Sequence, residues 1–414
     1  MKRATVLRNS LPTLTIALSI FAATQSAAAQ TFQVIYAFEG HGTSAHAIGG
    51  LTIDGRGNLY GTTAWGGDDA PGTVYELERT GSGFVYNELF YVGAGAKGDF
   101  PWDAPTIGPN GTLYATMNGG GIRGQGTIVN VQPPPSICRN TSCPWNATDL
   151  YNFSGGSDGG DPQSGVIFDS HGNMYGANVN DGAGYGVVYE MTPSGDGWTY
   201  QVIYTFTGGQ DGANPDSPLI FDSAGNLYGG AMSGGLPGCA GFGCGTIFKL
   251  SPSGSGWTET TIYSFTDGSD GSAPSGTLVF DPAGNLYGST FGSDSNPGGT
   301  VFKLSPSGDN WTFHLIYDLP GAGGGPSGGV ARDSAGNLYG ATWGDGAYGQ
   351  GNIFKLTPTS NGWTFSTIHD FTGGSDGSNA EAAPVINSNG VLYGTTYDGG
   401  SADCDCGVVY EVTP

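Results

Sequence analysis

The strongest constraint on the fold is an internal repeat of just over 50 residues. A Leu-Tyr pair, Met-Tyr in one copy, recurs seven times at spacings of 52 to 61 residues, with the tyrosines at positions 60, 114, 175, 228, 287, 339 and 393. A second motif of the type Gly-Thr-Ile-Phe-Lys-Leu follows each pair and begins at Gly72, Gly126, Gly186, Gly245, Gly299, Gly351 and Gly407. Seven similar units must fold as one repetitive structure, because a small unit buries its faces only against its neighbours.

Each unit contains four short β segments, as the copy from Ser217 to Phe265 shows. Its segments are residues 219–222, 226–231, 245–250, which we expect to end before Pro252, and 257–265. They are rich in β-branched and aromatic residues and are separated by Gly, Asn and Ser turns. The sequence lacks the 3.6-residue periodicity of apolar residues that is typical of amphipathic helices. Four strands per unit at this period predict an all-β fold, a seven-bladed β-propeller of four-stranded blades.

The two ends of the repeat array predict how the ring closes. Residues 31–38 resemble the fourth strand of a unit, yet they precede the first copy, and the last copy ends at Pro414 without a fourth strand. We therefore expect the N-terminal strand to complete the last blade, which removes two exposed sheet edges. Residues 30–414 are predicted to form this single domain.

Residues 1–29 have the features of a secretory signal peptide. A basic start with Lys2, Arg3 and Arg8 precedes a short apolar core, and Ala27 and Ala29 stand at cleavage-site spacing. No other segment is apolar enough to suggest a membrane span. We expect a secreted, periplasmic or cell-surface monomer. Without the leader the chain has nine cations against 35 acidic residues, which argues against nucleic acid or an anionic membrane as its partner.

The six cysteines form three closely spaced pairs: Cys138 with Cys143, Cys239 with Cys244, and Cys404 with Cys406. In an exported protein such pairs indicate disulfides. The Cys-Asp-Cys pair closes a very small ring, so a redox role is an alternative for it. A thiol-bound metal is disfavoured, because no histidine or further cysteine joins a pair at zinc spacing.

An Asp-Gly dipeptide recurs in the loops that connect one blade to the next. Its aspartates are Asp158, Asp211, Asp270 and Asp376. Carboxylates converging from several loops could bind calcium through their oxygens. The alternative is that Asp-Gly is a turn dipeptide, repeated because the loop is repeated. The complete Asp-x-Asp-x-Asp-Gly calcium loop does not occur.

Large aromatic side chains follow the second strand in several units. They are Phe291, Trp343 and Tyr397 in the last three units and Trp65 in the first. An arc of aromatic faces at the mouth of a propeller suits stacking on sugar rings, while nearby carboxylates accept bonds from hydroxyls. Packing between blades is the alternative.

The combined motif Asp-Ser-Ala-Gly-Asn-Leu-Tyr-Gly and Gly-Thr-Ile-Phe-Lys-Leu-Ser-Pro-Ser-Gly-Ser-Gly-Trp resembles the GloVer tandem-repeat family of bacterial exported proteins. The resemblance covers essentially all of the chain after the leader. It implies export, a propeller-like repeat domain and, in many members, a surface anchor of the choice-of-anchor type. It implies no activity and no catalytic residues.

Three functions fit these observations. The first is an exported, non-catalytic binding or adhesion module for a polysaccharide or a surface protein. The second is a propeller-type glycosidase or lyase that uses carboxylates at the mouth, beginning with Asp211 and Asp270. The third is a structural extracellular protein stiffened by calcium. The arginines and histidines do not form the clusters that a sialidase or a histidine-dependent lyase would need.

Overall fold

Each repeat folds into one antiparallel four-stranded sheet, and seven such sheets surround a central channel as the blades of a propeller. The structure is a computed structural model. It describes residues 30–40, 44–66, 72–92, 98–134, 145–180, 183–195, 197–254, 256–292, 297–321 and 324–414. The all-β, seven-bladed fold predicted from the repeat is confirmed.

The strands are counted outward from the channel, so the first strand of each blade lines it and the fourth is outermost. Their bounds are, for blade 1, Leu51–Ile53, Leu59–Thr63, Thr73–Thr80 and Gly83–Tyr91; for blade 2, Thr106–Ile107, Leu113–Met117, Thr127–Gln132 and Asn146–Asn152; for blade 3, Ile167–Phe168, Met174–Asn178, Val187–Ser194 and Gly197–Thr205; for blade 4, Ile220–Phe221, Leu227–Ser233, Thr246–Ser253 and Gly256–Ser264; for blade 5, Pro274–Phe280, Leu286–Thr290, Thr300–Ser307 and Asn310–Asp318; for blade 6, Ala331–Arg332, Leu338–Ala341, Asn352–Thr359 and Gly362–Asp370; and for blade 7, Val385–Ile386, Leu392–Thr395, Val408–Thr413 and Thr31–Ala37.

Short additional elements lie in the loops. Ser44–Ala45 pairs with Trp65–Gly66, Ala213–Pro215 adds to the second strand of blade 4, and Cys239–Gly241 forms a 3-10 turn. Within the described residues no helix is both long and apolar enough to cross a membrane.

The N-terminal strand closes the ring as predicted. It pairs antiparallel with the last strand of the chain, from Thr31 opposite Thr413 to Ala37 opposite Val408. Its register shifts between Val34 and Tyr36, and the fourth strand of every other blade has a comparable shift against the third. The N-terminal strand is therefore a genuine fourth strand, bulge included.

The third strand is longer than expected, because it does not end before Pro252. It continues to Ser253, with Pro252 opposite Trp257. The second strand reaches only to Leu250 in this register. Beyond that point the third strand has a partner on one side alone, so a residue without an N–H is tolerated there.

The Asp-x-x-Gly-Asn turns between the first and second strands are held by their aspartate carboxylates. In blade 4, Asp222 Oδ1 accepts bonds from the backbone N–H groups of Ala224 and Asn226, both at 2.9 Å. Its Oδ2 accepts from the Asn226 amide at 2.7 Å and the Tyr228 hydroxyl at 3.1 Å. Partial burial raises the pKa of Asp222, but these hydrogen bonds outweigh it, and the pKa lies below its ordinary value. The turn thus fixes the repeat tyrosine against the next blade, where its ring meets Trp311 edge-on at 6.0 Å.

Candidate functional site

One column of the repeat lines the central channel with a single residue from each blade. This residue follows the loop between blades and lies just before the first strand, or at its start in blade 5, so the seven backbones deliver their side chains to a common ring. The ring borders a cavity of about 340 Å³. We call it the channel ring, and its members are Ile48, Trp102, Gln163, Asp216, Ser275, Ser327 and Glu381.

Backbone contacts between consecutive blades hold the ring in place. Ala104 N–H donates to the Gly49 carbonyl at 2.9 Å, which ties blade 2 to blade 1. Parallel bridges join Thr277 to Gly329 and Gly328 to Ala382, from blade 5 through blade 7. The channel wall is therefore rigid, and the chemical differences among the blades lie in the side chains that it carries.

The channel contains three carboxyl groups that burial makes harder to ionise. Burial raises the pKa of Glu381 to about 7, and the charges of Asp216 and Asp398 add to the increase. Burial followed by the charge of Asp103 raises the pKa of Asp216 to about 6. Asp103 lines the channel one residue after Trp102, and burial raises its pKa to about 6 as well. The backbone N–H groups of Gly165 and Ala104, at 2.6 and 2.7 Å, partly offset that increase.

Above the channel ring, the predicted aromatic residues form a continuous arc. The rings of Trp343 and Tyr397 lie 5.6 Å apart, and the Trp65 indole is in hydrogen-bonding range of the Tyr397 hydroxyl. On the other side, Phe291 and Trp343 flank Gly324, where a Cβ would lie 3.5 Å from each side chain. The structure therefore brings all four residues together, and we call them the aromatic arc.

The aromatic arc is partly open to solvent. Trp65 is 40% exposed and Phe291 41% exposed, while Trp343 and Tyr397 are half-buried. Phe100 extends the arc into blade 2, since its ring centroid lies 4.5 Å from that of Trp65. The rings therefore pack between blades and still present an accessible face.

His46 holds Tyr397 in its orientation. The two rings stack with centroids 4.4 Å apart. His46 Nδ1 lies 3.0 Å from the Tyr397 carbonyl oxygen and 3.3 Å from Asp398 Oδ1. His46 has a φ of 58°, an uncommon conformation for a residue with a side chain. This backbone geometry places the imidazole under the arc.

The arc and the channel ring carry groups that interact electrostatically. Burial, followed by the charge of Asp398, raises the pKa of Tyr397, and the charge of Glu381 adds to the increase. The pKa of Glu381 is raised by burial first and then by the charges of Asp216 and Asp398. These groups therefore lie within electrostatic range of each other. The site combines an aromatic rim with a carboxylate-lined pocket beneath it.

The four Asp-Gly aspartates lie in four separate loops that connect one blade to the next. Each carboxylate caps its own loop: Asp270 accepts bonds from the hydroxyls of Tyr263 and Thr266 and from the N–H groups of Thr266 and Gly268, at 2.6 to 3.1 Å. Asp158, Asp211 and Asp376 likewise accept bonds from the hydroxyl and the backbone N–H of the residue four positions earlier. Each also contacts a side chain of the preceding fourth strand, which is Tyr151, Tyr204 and His369 respectively. The structure therefore does not bring the four together. In the described part of the chain no three His, Cys, Asp or Glu side chains are grouped to hold a metal.

The structure bonds Cys239 to Cys244 and Cys404 to Cys406. The Cys404–Cys406 pair packs where the closing strand leaves the sheet, with Cys404 Sγ 3.6 Å from the Phe38 carbonyl oxygen. The predicted pair Cys138 and Cys143 lies outside the described residues.

The channel ring was not among the residues predicted from the sequence, although a signal for it was present. In most copies a proline precedes the ring residue directly, as in Pro215-Asp216 and Pro326-Ser327. Aligning the seven copies on this position would have shown two carboxylates in a column of otherwise uncharged residues. The sequence alone did not show that the column faces the channel.

Comparisons with solved structures return other proteins at low identity. A glucose dehydrogenase-type oxidoreductase from Thermus thermophilus is 12% identical, with a TM-score of 0.46 over 93% of this chain and 100% of its own. A luciferin-regenerating enzyme is 14% identical, with a TM-score of 0.42 over 93% and 95%. A protein described as a 6-phosphogluconolactonase from Bacteroides uniformis is 14% identical, with a TM-score of 0.48 over 90% and 100%. Identities this low say nothing about activity.

Sequence comparison gives a more direct result. No curated protein matches the chain at a significant level. A family model described as the Gloeobacter/Verrucomicrobia repeat matches residues 19–183, 136–318 and 290–414, which together span the whole propeller. The match agrees with the resemblance found in the repeat motifs.

Proposed function

We propose that this chain, which belongs to the Gloeobacter/Verrucomicrobia repeat family, is a binding module that takes a polysaccharide at the mouth of its channel. The observation that carries the proposal is the aromatic arc, to which blades 5, 6, 7 and 1 each contribute one residue. We place the module outside the cell, as the leader sequence predicts, and fractionation of producing cells tests this placement.

The chemistry of the site supports a sugar ligand. Sugar rings have apolar C–H faces that stack on partly exposed aromatic rings such as Trp65 and Phe291. Their hydroxyls donate to carboxylates, and Asp216 and Glu381 line the channel. None of the described residues that line the channel is a lysine or arginine, so a neutral polysaccharide suits the site better than an anionic one.

Retention on insoluble polysaccharides tests the proposal. The protein is mixed with cellulose, chitin, xylan or other polymers, and the pelleted fraction is measured. We expect Trp343→Ala and Trp65→Ala to lower retention at least about tenfold, since stacking contacts contribute on the order of 1 kcal/mol each and neighbouring rings act together. Phe242→Ala is the matched control, because Phe242 is 77% exposed in the corresponding loop of blade 4, which contributes no residue to the arc. Equal retention by all three variants would exclude the arc as the site.

A second candidate function, a glycosidase or lyase, is favoured by one observation. A carboxyl group with a pKa near neutrality is what a general acid requires, and burial gives Glu381 a pKa of about 7. Sugar released into the supernatant, and its loss in Glu381→Gln, would support this candidate. Retention without released sugar supports the binding module.

A further inference from the structure

A cleft at the outer interface of blades 5 and 6 differs from the channel in position and in chemistry. It has a volume of about 440 Å³ and lies between the end of blade 5 and the loop that joins the second and third strands of blade 6. Residues 319–321 form one wall and residues 344–347 the other, with Asn352 and Asp370 at the base. None of these residues belongs to the channel ring or to the aromatic arc.

Asn352 occupies a position that is threonine in four other blades. In blades 1 and 5 this threonine shares a hydrogen bond with a threonine of the second strand, at 3.0 Å between Thr73 and Thr63 and between Thr300 and Thr290. In blade 6 the Asn352 backbone N–H still donates to Thr342 Oγ1 at 3.0 Å. Its side-chain oxygen Oδ1, however, has no hydrogen-bond partner, although Asn352 is only 5% exposed. A buried amide oxygen without a partner is costly, so this position favours a ligand that accepts its lone pair.

Two carboxylates line the same cleft. Asp345 is 7% exposed, and its loop is closed by a bond of 2.8 Å from the Gly351 N–H to the Asp345 carbonyl. Asp370 lies directly opposite Asn352 in the sheet register, and its Oδ1 accepts a bond of 3.1 Å from the Ala347 N–H. A Cβ added to Gly346 would lie 2.6 Å from Asp370 Oδ1, 3.0 Å from the Gly351 carbonyl oxygen and 3.2 Å from Asn352 Cβ. Two oxygen atoms therefore lie within about 3 Å of one point beside Gly346, next to the base of the Asn352 side chain.

We propose that this cleft is a binding site for a hard divalent cation of the calcium type. Asp345, Asp370 and Asn352 Oδ1 supply side-chain oxygens, and backbone carbonyls and water complete the shell. Calcium takes six to eight oxygen ligands in flexible geometry, and carboxylate, amide and backbone oxygens are its usual set in proteins. Among the described residues that line the cleft there is no lysine or arginine, so a cation meets no like charge there. The site does not depend on the proposed binding of polysaccharide.

Calcium binding by the full-length protein after EDTA treatment and dialysis tests the proposal. Titration calorimetry with Ca²⁺ alone is run on the wild type, on Asp370→Asn and on Asp318→Asn. Asp318 is the matched control, because it ends the fourth strand of blade 5 as Asp370 ends that of blade 6, but faces Thr300 instead of an asparagine. Asn352→Thr, which restores the residue of the other blades, is the second variant. Thermal unfolding in EDTA shows whether each variant folds.

We expect one calcium ion per chain, with affinity lowered at least about tenfold in Asp370→Asn and in Asn352→Thr and changed less than about twofold in Asp318→Asn. Folded wild-type protein that binds no calcium would overturn the proposal. Calcium binding that is equally affected in Asp370→Asn and Asp318→Asn would also overturn it, since the effect would then reflect surface charge.

Discussion

At the scale of single residues, the charge of Glu381 acts against folding. Its pKa of about 7 in the folded protein exceeds the ordinary glutamate value, mainly because the carboxylate is buried. The folded state therefore binds the proton more tightly than the unfolded state. The resulting loss of stability is absent below about pH 4.5 and complete above about pH 7.

We expect Glu381→Gln to stabilise the protein at pH 8 by on the order of 1 kcal/mol and to have little effect at pH 4.5. Urea unfolding at the two pH values measures the difference. Glu78→Gln is the control, because Glu78 is exposed on blade 1. A gain of the same size at both pH values would show that the carboxylate charge is not the cause.

Asp270 is predicted to stabilise its loop as a hydrogen-bond acceptor. Four donors bond to its carboxylate, so Asp270→Ala should lower the free energy of unfolding by about 2 kcal/mol or more, in EDTA as well as in calcium. Asp309→Ala, at an exposed turn, should be nearly neutral. A loss that occurs only in calcium would instead support the calcium role that the repeated Asp-Gly suggested.

At the scale of the strands, the blades differ in one buried hydroxyl. The third strand carries tyrosine at positions 75, 189 and 410, where blades 4, 5 and 6 carry Phe248, Phe302 and Phe354. The three tyrosine hydroxyls are buried without a hydrogen-bond partner. In blade 3 the ring of Tyr189 covers Gly176, where a Cβ would lie 2.2 Å from the hydroxyl oxygen. Glycine at this strand position is thus required by the aromatic ring above it.

Removing one of these hydroxyls should therefore stabilise the protein. We expect Tyr189→Phe to raise the free energy of unfolding by about 1 kcal/mol, because an unpaired buried hydroxyl is costly. The reverse change, Phe302→Tyr, should lower it by a similar amount. Chemical unfolding of the two variants measures both changes in the free energy of unfolding. A destabilised Tyr189→Phe protein would contradict the prediction and would mean that a bound water satisfies the hydroxyl.

At the scale of the whole molecule, stability depends on closing the ring. Phe32 anchors the N-terminal strand by stacking on His369 of blade 6 at 3.7 Å, and it also meets Phe371 and Tyr410. This residue joins blades 6 and 7 although it stands at the opposite end of the sequence from both. The first and last strands therefore form one cooperative unit.

Phe32→Ala should lower the free energy of unfolding by about 3 kcal/mol and make the N-terminal strand sensitive to proteolysis. Gln33→Ala, whose side chain is exposed on the same strand, should change neither property. Thermal unfolding and limited proteolysis measure both effects. An intact N-terminus in folded Phe32→Ala would show that the backbone pairing alone is sufficient for closure.

The sequence by itself determined the blades, their number and the closing strand, because these follow from the local alternation and turn chemistry that every copy repeats. It also placed Trp65, Phe291, Trp343 and Tyr397 on the mouth loops. Which side chains meet there depends on the folded chain. The channel ring is built from residues more than 50 positions apart, which the closure of the propeller brings together. The blade 5–6 cleft joins the end of one repeat to the second half of the next. A repeat specifies each blade through contacts within about 50 residues. A site between blades depends instead on the positions at which the copies differ. The sequence does not show which of those positions face one another.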